Sequence, residues 1–181
     1  MHIVVFTGGK APEPFLTHNY FLNGKSSFTP DAVIAADSGL ETLQRYAEYF
    51  IGKIDFTPNY ICGDMDSISD RKLIEKYASA EKELFPEYKD YTDTELALKK
   101  ACMISKQKSQ ADSQNRITLV GGDGGRTDHL LGVIETFSTE EKADFWLCCE
   151  QIVCFAKKGT SVKITGINQK DYVSVYKINE K

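Results

Sequence analysis

The chain is expected to be an α/β protein. A mostly parallel sheet flanked by helices, Rossmann-like, should occupy residues 1–138, followed by a short or incomplete antiparallel β domain over residues 141–181. Three observations predict this. Short runs rich in Val, Ile and aromatic residues alternate with amphipathic stretches through residue 138, the alternation that builds parallel sheets with helices on both faces. Polar clusters rich in Asp and Gly follow five successive runs. Beyond residue 140 helical periodicity gives way to short apolar runs separated by turn residues such as Lys158-Gly159 and Asn168-Gln169.

The expected strands of the first part are His2–Phe6, Ala32–Ala36, Asn59–Cys62, Glu83–Phe85 and Arg116–Val120. Between them, Leu40, Leu43, Ala47 and Phe50 recur at steps of three and four, as one apolar helix face requires. A second helix should start at Ser69 and carry Leu73, Ile74 and Tyr77. Thr92-Asp93-Thr94-Glu95 has the spacing of a capping box, in which a hydroxyl and a carboxylate satisfy the free N–H groups of a helix start, and Leu96, Ala97, Ala101 and Ile104 follow. A fourth helix should begin near Arg126 and carry Leu130, Ile134 and Phe137. The polar stretch Ser105–Asn115 reads as an exposed loop. In the last part, Phe145–Cys149, Ile152–Ala156, Val162–Thr165 and Tyr172–Ile178 read as strands.

Composition narrows the function classes. With 181 residues, 41% hydrophobic and 27% charged, the chain can bury a real core, and it has no apolar run long enough to span a membrane. The 22 Lys and Arg against 26 Asp and Glu give a net charge of -4, which argues against a nucleic-acid surface. The excess acid lies early: residues 1–140 hold 15 basic and 21 acidic side chains, residues 141–181 hold 7 and 5. Five cysteines in no C-x-x-C spacing suit reduced thiols and a cytoplasmic location. The N-terminus lacks the basic region and cleavage site of a signal peptide and reads as a strand.

In open parallel sheets, ligands bind beyond the carboxyl ends of the strands. The five polar clusters fall there: Gly8-Gly9, Asp37-Ser38-Gly39, Gly63 to Ser67, Lys89 to Asp93, and Gly121 to Arg126. Asp64 and Asp66, spaced i and i+2, can point one way toward a hard cation, although a lone pair of this kind fits turns and helix caps equally well. The cluster is more telling. Asp37, Asp64, Asp66, Asp90, Asp93 and Asp128 all fall in or just beyond these loops, and gathering them costs like-charge repulsion unless cations intervene. Mg²⁺, which takes one or two carboxylates together with phosphate oxygens and water, suits that setting. Gly121-Gly122 and Gly124-Gly125 permit positive φ and approach of backbone N–H groups to an anion, with Arg126 as a bidentate donor. Neither a Walker A sequence nor G-x-G-x-x-G is present. His129 could serve the site or bond at a helix start, whereas Cys62 and Trp146 read as core.

Four blocks, Ala36-Asp37-Ser38-Gly39, Gly63-Asp64-Met65-Asp66-Ser67, Asp90-Tyr91-Thr92-Asp93 and Gly124-Gly125-Arg126-Thr127-Asp128-His129, together resemble the thiamine pyrophosphokinase family in order and spacing, over about residues 2 to 138. Ser38 stands where a glycine is usual, and Asp123 adds a carboxylate. The resemblance implies transfer of pyrophosphate from ATP to thiamine, giving thiamine diphosphate and AMP. It implies Asp64, Asp66 and Asp93 as Mg²⁺ ligands and catalytic residues, and Asp37, Lys89, Arg126 and Asp128 as nucleotide or phosphate contacts. It also implies a homodimer and a thiamine-side β domain over residues 141–181; family members continue into a fuller β-sandwich. Two other readings remain open: a noncatalytic Mg-nucleotide-binding module, and a D-x-D metal-dependent glycosyltransferase resting on Asp64-Met65-Asp66 alone.

Overall fold

The computed structural model describes residues 1–65, 68–84, 91–108, 115–124, 126–157 and 159–178. Seven strands form one sheet: β1 (His2–Phe6), β2 (Ala32–Ala36), β3 (Tyr60–Gly63), β4 (Glu81–Leu84), β5 (Arg116–Val120), β6 (Phe145–Cys148) and β7 (Gln151–Cys154). Their order is β4-β3-β2-β1-β5-β6-β7. All neighbours pair parallel except β6 and β7. The order therefore reverses at the β1/β5 boundary, the place where doubly wound sheets open their crevice.

Alternation along the buried strands divides the core in two. Val4 and Phe6 of β1 face one side with Val33, Ala35 and Ile61, where α1 (His18–Leu22), α2 (Gly39–Tyr49) and α3 (Lys72–Lys76) cover them. That layer is aromatic: Phe6 meets Tyr46 and Phe56 edge-on at centroid distances of 5.3 Å, and Phe21 meets Phe56 at the same distance. Ile3, Val5, Ile34 and Cys62 face the other side beneath α4 (Asp93–Lys108) and α5 (Thr127–Thr136). Ala97 and Ala101, both fully buried, let α4 lie close on the sheet. Period-2 strands between 3.6-period helices thus produce the expected layers.

Several details differ from expectation. The helix expected from Ser69 is the five-residue α3, its entry shaped by Asp70 Oδ1 accepting from the Lys72 N–H at 3.0 Å. Ser105 is buried inside α4, which runs to Lys108 and so takes up the start of the expected Ser105–Asn115 loop; residues 109–114 lie outside the described residues. The sheet crosses the expected junction at 138–141, because β6 pairs with β5 and β7 then adds the antiparallel edge. The segments Val162–Thr165 and Tyr172–Ile178 form no strand. Their composition favours β structure, but no strand among the described residues pairs with them, and Tyr172 and Val175 are almost wholly exposed. A 3-10 turn at Pro14–Thr17 and α1 follow β1 without having been expected. Among the described residues no helix is long and apolar enough to cross a membrane.

One polar group inside the fold has a measurable consequence. His2 Nε2 lies 2.8 Å from Thr118 Oγ1, which also meets the Tyr20 hydroxyl at 2.7 Å, while Phe21 and Phe28 flank the imidazole. Burial first, then the Arg116 charge, lower the His2 pKa from 6.5 to about 4. The unfolded chain therefore binds more protons between these values, so stability is complete above pH 6.5 and is lost as pH falls toward 4, by on the order of 3 kcal/mol. Urea denaturation across this range should show that loss, and His2→Gln should flatten it; an unchanged slope in the variant would assign the acid sensitivity elsewhere.

Candidate metal and nucleotide site

Three carboxylates meet at the carboxyl edge of the sheet. Asp37 follows β2, Asp64 follows β3 and Asp93 opens α4, and each offers an oxygen within 4.8 Å of the other two. All three are half-buried. Of the expected metal ligands, Asp64 and Asp93 are thus brought together, and Asp37, expected on the nucleotide side, joins them. Asp66, Lys89 and Asp90 lie outside the described residues.

Local structure positions Asp37 and Asp93. The Asp37 N–H donates to Cys62 O of the neighbouring strand at 2.8 Å, and its φ of 47° turns the chain sharply out of β2. Left-handed backbone suits Asp and Asn better than other residues with a side chain. Asp93 sits in the expected capping box: the Thr92 N–H donates to Glu95 Oε2 at 2.7 Å and the Glu95 N–H to Thr92 Oγ1 at 3.2 Å. One residue further, Thr94 Oγ1 meets Thr7 Oγ1 at 2.6 Å, tying the start of α4 to the end of β1. Glu41 of α2 accepts from the Ser69 N–H at 2.6 Å, joining α2 to the start of the chain that leads into α3.

Gly63 is the residue around which the acids close. Its φ is 127°, and a Cβ built there would stand 3.0 Å from Asp93 Oδ1 and 3.2 Å from Asp37 Cβ. Any side chain would push into the carboxylates, so glycine is required on both conformational and steric grounds. Its place at the head of Gly63-Asp64-Met65-Asp66 was visible in the sequence, but the approach of Asp37 and Asp93 to it was not.

The middle of α4 is fastened to the sheet. Lys100 Nζ pairs with Glu83 Oε1, lies 3.5 Å from Glu81 Oε1 and sits 4.3 Å from the centre of the Tyr60 ring. Burial disfavours its charge, but the glutamates outweigh this and its pKa is raised. Cys62 beneath α4 is a core thiol pushed up to about 12, mainly by burial, which agrees with the core reading of that residue.

The glycine loop after β5 differs from expectation. Gly121, Gly122 and Gly124 do have positive φ, yet their N–H groups are already bonded. Gly121 donates to Leu147 O at 3.1 Å, Gly122 to Gly8 O at 2.8 Å, Asp123 to Lys10 O at 3.2 Å and Gly124 to Asp123 Oδ1 at 2.7 Å. The loop after β1 therefore pairs with the loop after β5 across the boundary where a crevice would open, and Lys10 and Asp123 form an antiparallel bridge. A Cβ at Gly121 would stand 2.5 Å from Thr7 O. These glycines serve contact between loops rather than an amide cradle; Gly125 lies outside the described residues. Trp146 Nε1 completes this region by donating to Gly121 O at 2.6 Å, a core role as expected.

Arg126 and Asp128 pair with each other. Arg126 Nε and Nη2 donate to Asp128 Oδ1 and Oδ2 at 3.1 and 2.5 Å, both side chains being exposed. That pairing lowers the Asp128 pKa and raises that of Arg126. His129 is exposed beside them. Cys149, after β6, has its thiol pushed up first by a hydrogen bond to Asp123, with Lys10 pulling the other way. Lys10 therefore stands at this edge of the site, though no motif had marked it.

Known proteins resemble this chain in sequence and in fold. Residues 27–149 match the sequence model described as "Thiamin pyrophosphokinase, catalytic domain". No curated protein matches the chain. Among solved structures, a thiamin pyrophosphokinase family protein from Enterococcus faecalis is 26% identical, with a TM-score of 0.50 over 74% of this chain and 53% of that one. Thiamin pyrophosphokinase from Candida albicans (16% identity, TM-score 0.52, 75% of this chain and 52% of that one) and from yeast (16%, 0.50, 81% and 58%) share the fold. The chain spans about half the length of these solved relatives. With a match covering Asp37, Asp64, Asp93 and the Arg126 block, the chain belongs to the thiamin pyrophosphokinase catalytic domain family.

Proposed function

We propose that the chain is the catalytic part of a thiamine diphosphokinase that moves an intact pyrophosphoryl group from ATP to the hydroxyethyl oxygen of thiamine and releases AMP. The observation that carries this reading is the convergence of Asp37, Asp64 and Asp93 within the family-matched segment. A pair of carboxylates at such spacing repels by on the order of 1–3 kcal/mol, depending on screening. The favourable placement of Asp93 at a helix start returns only about 0.3–1 kcal/mol. The balance favours a cation, and an all-oxygen donor set fits Mg²⁺.

In this reading Asp37, Asp64 and Asp93 hold Mg²⁺, with Asp66 kept as a further ligand on sequence grounds. The ion, when bound, neutralises polyphosphate charge. The new bond joins the thiamine oxygen to the β-phosphorus, the hydroxyl proton passes to solvent, and the bond from that phosphorus to the α,β-bridging oxygen breaks as AMP leaves. The protein's part is to fix the carboxylates through Gly63, the capping box and the Lys100 cluster, and to meet phosphate with side-chain cations. Lys89, Arg126 and Asp128 are assigned to nucleotide or phosphate, which requires the Arg126–Asp128 pair to open or to bind as a unit. Residues 1–138 are assigned to nucleotide and metal; of residues 141–181, assigned to the thiamine side and completed in a homodimer, the strands β6 and β7 also extend the catalytic sheet. Free thiols at all five cysteines suit the cytoplasm.

Incubation with Mg²⁺, ATP and thiamine should yield thiamine diphosphate and AMP in equal amounts by mass spectrometry; ADP as the sole nucleotide product would reject pyrophosphoryl transfer. Asp37→Asn keeps the left-handed backbone preference and removes one charge. It should stabilise the metal-free protein by about 1 kcal/mol in urea denaturation while lowering Mg²⁺-dependent turnover about 100-fold or more. Loss of both stability and activity would instead make Asp37 a structural residue. Gly63→Ala should destabilise the fold by about 1–3 kcal/mol and weaken Mn²⁺ binding, followed by electron paramagnetic resonance; unchanged Mn²⁺ affinity in the folded variant would remove Gly63 from the site.

A further inference from the structure

We infer that Lys10 is a second anchor for the donor's polyphosphate, set across the sheet edge from the carboxylates. The inference rests on the nucleotide reading of this site. Lys10 follows β1, the strand at which the sheet order reverses, and its backbone is pinned to Asp123 in both directions, at 2.5 and 3.2 Å. Its side chain is laid along the glycine loop: a Cβ at Gly124 would stand 2.6 Å from Lys10 Cδ, 3.0 Å from Cγ and 3.1 Å from Cε. The absence of a side chain at Gly124 therefore makes room for the lysine stem.

The N–H groups of Gly121, Gly122, Asp123 and Gly124 already have acceptors, so an anion reaching this loop must be met by a side-chain cation. The Arg126 guanidinium is matched by Asp128, whereas Lys10 is exposed at the head of the loop pair. Strand spacing of about 4.8 Å puts the loops after β1 and β5 one and two steps from Asp37, which follows β2, or roughly 5–10 Å. A polyphosphate bound by its cation at the carboxylates can extend across that distance to an ammonium group.

The test compares binding of inorganic tripolyphosphate and of AMP, both in Mg²⁺, by calorimetry. Lys10→Met keeps the stem that covers Gly124 and drops the charge; Lys10→Arg keeps the charge. Lys10→Met should weaken tripolyphosphate binding about 10–100-fold, the worth of one charge-assisted contact, with AMP affinity and thermal midpoint nearly unchanged. Lys10→Arg should stay within about 3-fold of the parent. Tripolyphosphate binding unchanged in Lys10→Met, or AMP weakened as much as tripolyphosphate, would overturn the assignment while the nucleotide reading stands. A parent protein that binds neither tripolyphosphate nor ATP would overturn both.

Discussion

A parallel ladder cannot be closed by a tight turn, because each strand must be followed by a crossover that carries the chain back to the same starting edge. Six of the seven strands here obey that constraint, and the rest of the molecule follows from it. The crossovers need amphipathic helices, the helices cover both faces, and the central strands β1, β2 and β5 become apolar on both sides. The outgoing loops are left at one edge, where their polar residues can meet although they are distant in sequence. Asp37, Asp64 and Asp93 lie in three separate crossovers and meet only because β2, β3 and β4 run the same way.

The two halves of that edge are built differently. On the β2–β3 side, the absence of a side chain at Gly63 lets the Asp37 and Asp93 side chains approach the backbone closely. On the β1–β5 side the loops bond to each other and occupy the boundary where an open sheet would admit a ligand. The hydroxyl contact between Thr7 and Thr94 joins the halves. Charge is distributed differently too: Asp37, Asp64 and Asp93 gather over β2 and β3, while at the β1–β5 side Arg126 is paired with Asp128 and Lys10 lies beside Asp123.

Much of the fold was legible because its signals are local. Short runs rich in Val, Ile and aromatic residues located β1, β2 and β5 to the residue, and Thr92-Asp93-Thr94-Glu95 announced its own helix start. Patterning failed where a segment's fate depends on a distant partner. Tyr172–Ile178 has strand composition but no ladder, and polar Ser105 is carried into the buried side of α4 by the helix around it. The candidate site was legible as a set of loops, because Asp and Gly after each strand are a sequence property. Which carboxylates converge is a property of sheet order: Asp37 joins Asp64 because β2 is the neighbour of β3. The glycines after β5 misled for a related reason, since positive φ is visible in a sequence but the acceptor each N–H finds is not.

The fastening of α4 at Lys100 has a mechanical consequence. Asp93 stands seven residues before it on the helix, about 10 Å along the axis at 1.5 Å per residue. Ligand distances in a cation site are held to about 0.2 Å, which at that lever arm corresponds to a tilt of roughly one degree. The cluster of Lys100 with Glu81, Glu83 and Tyr60 therefore acts as a fulcrum that sets where the Asp93 carboxylate stands beside Asp37 and Asp64.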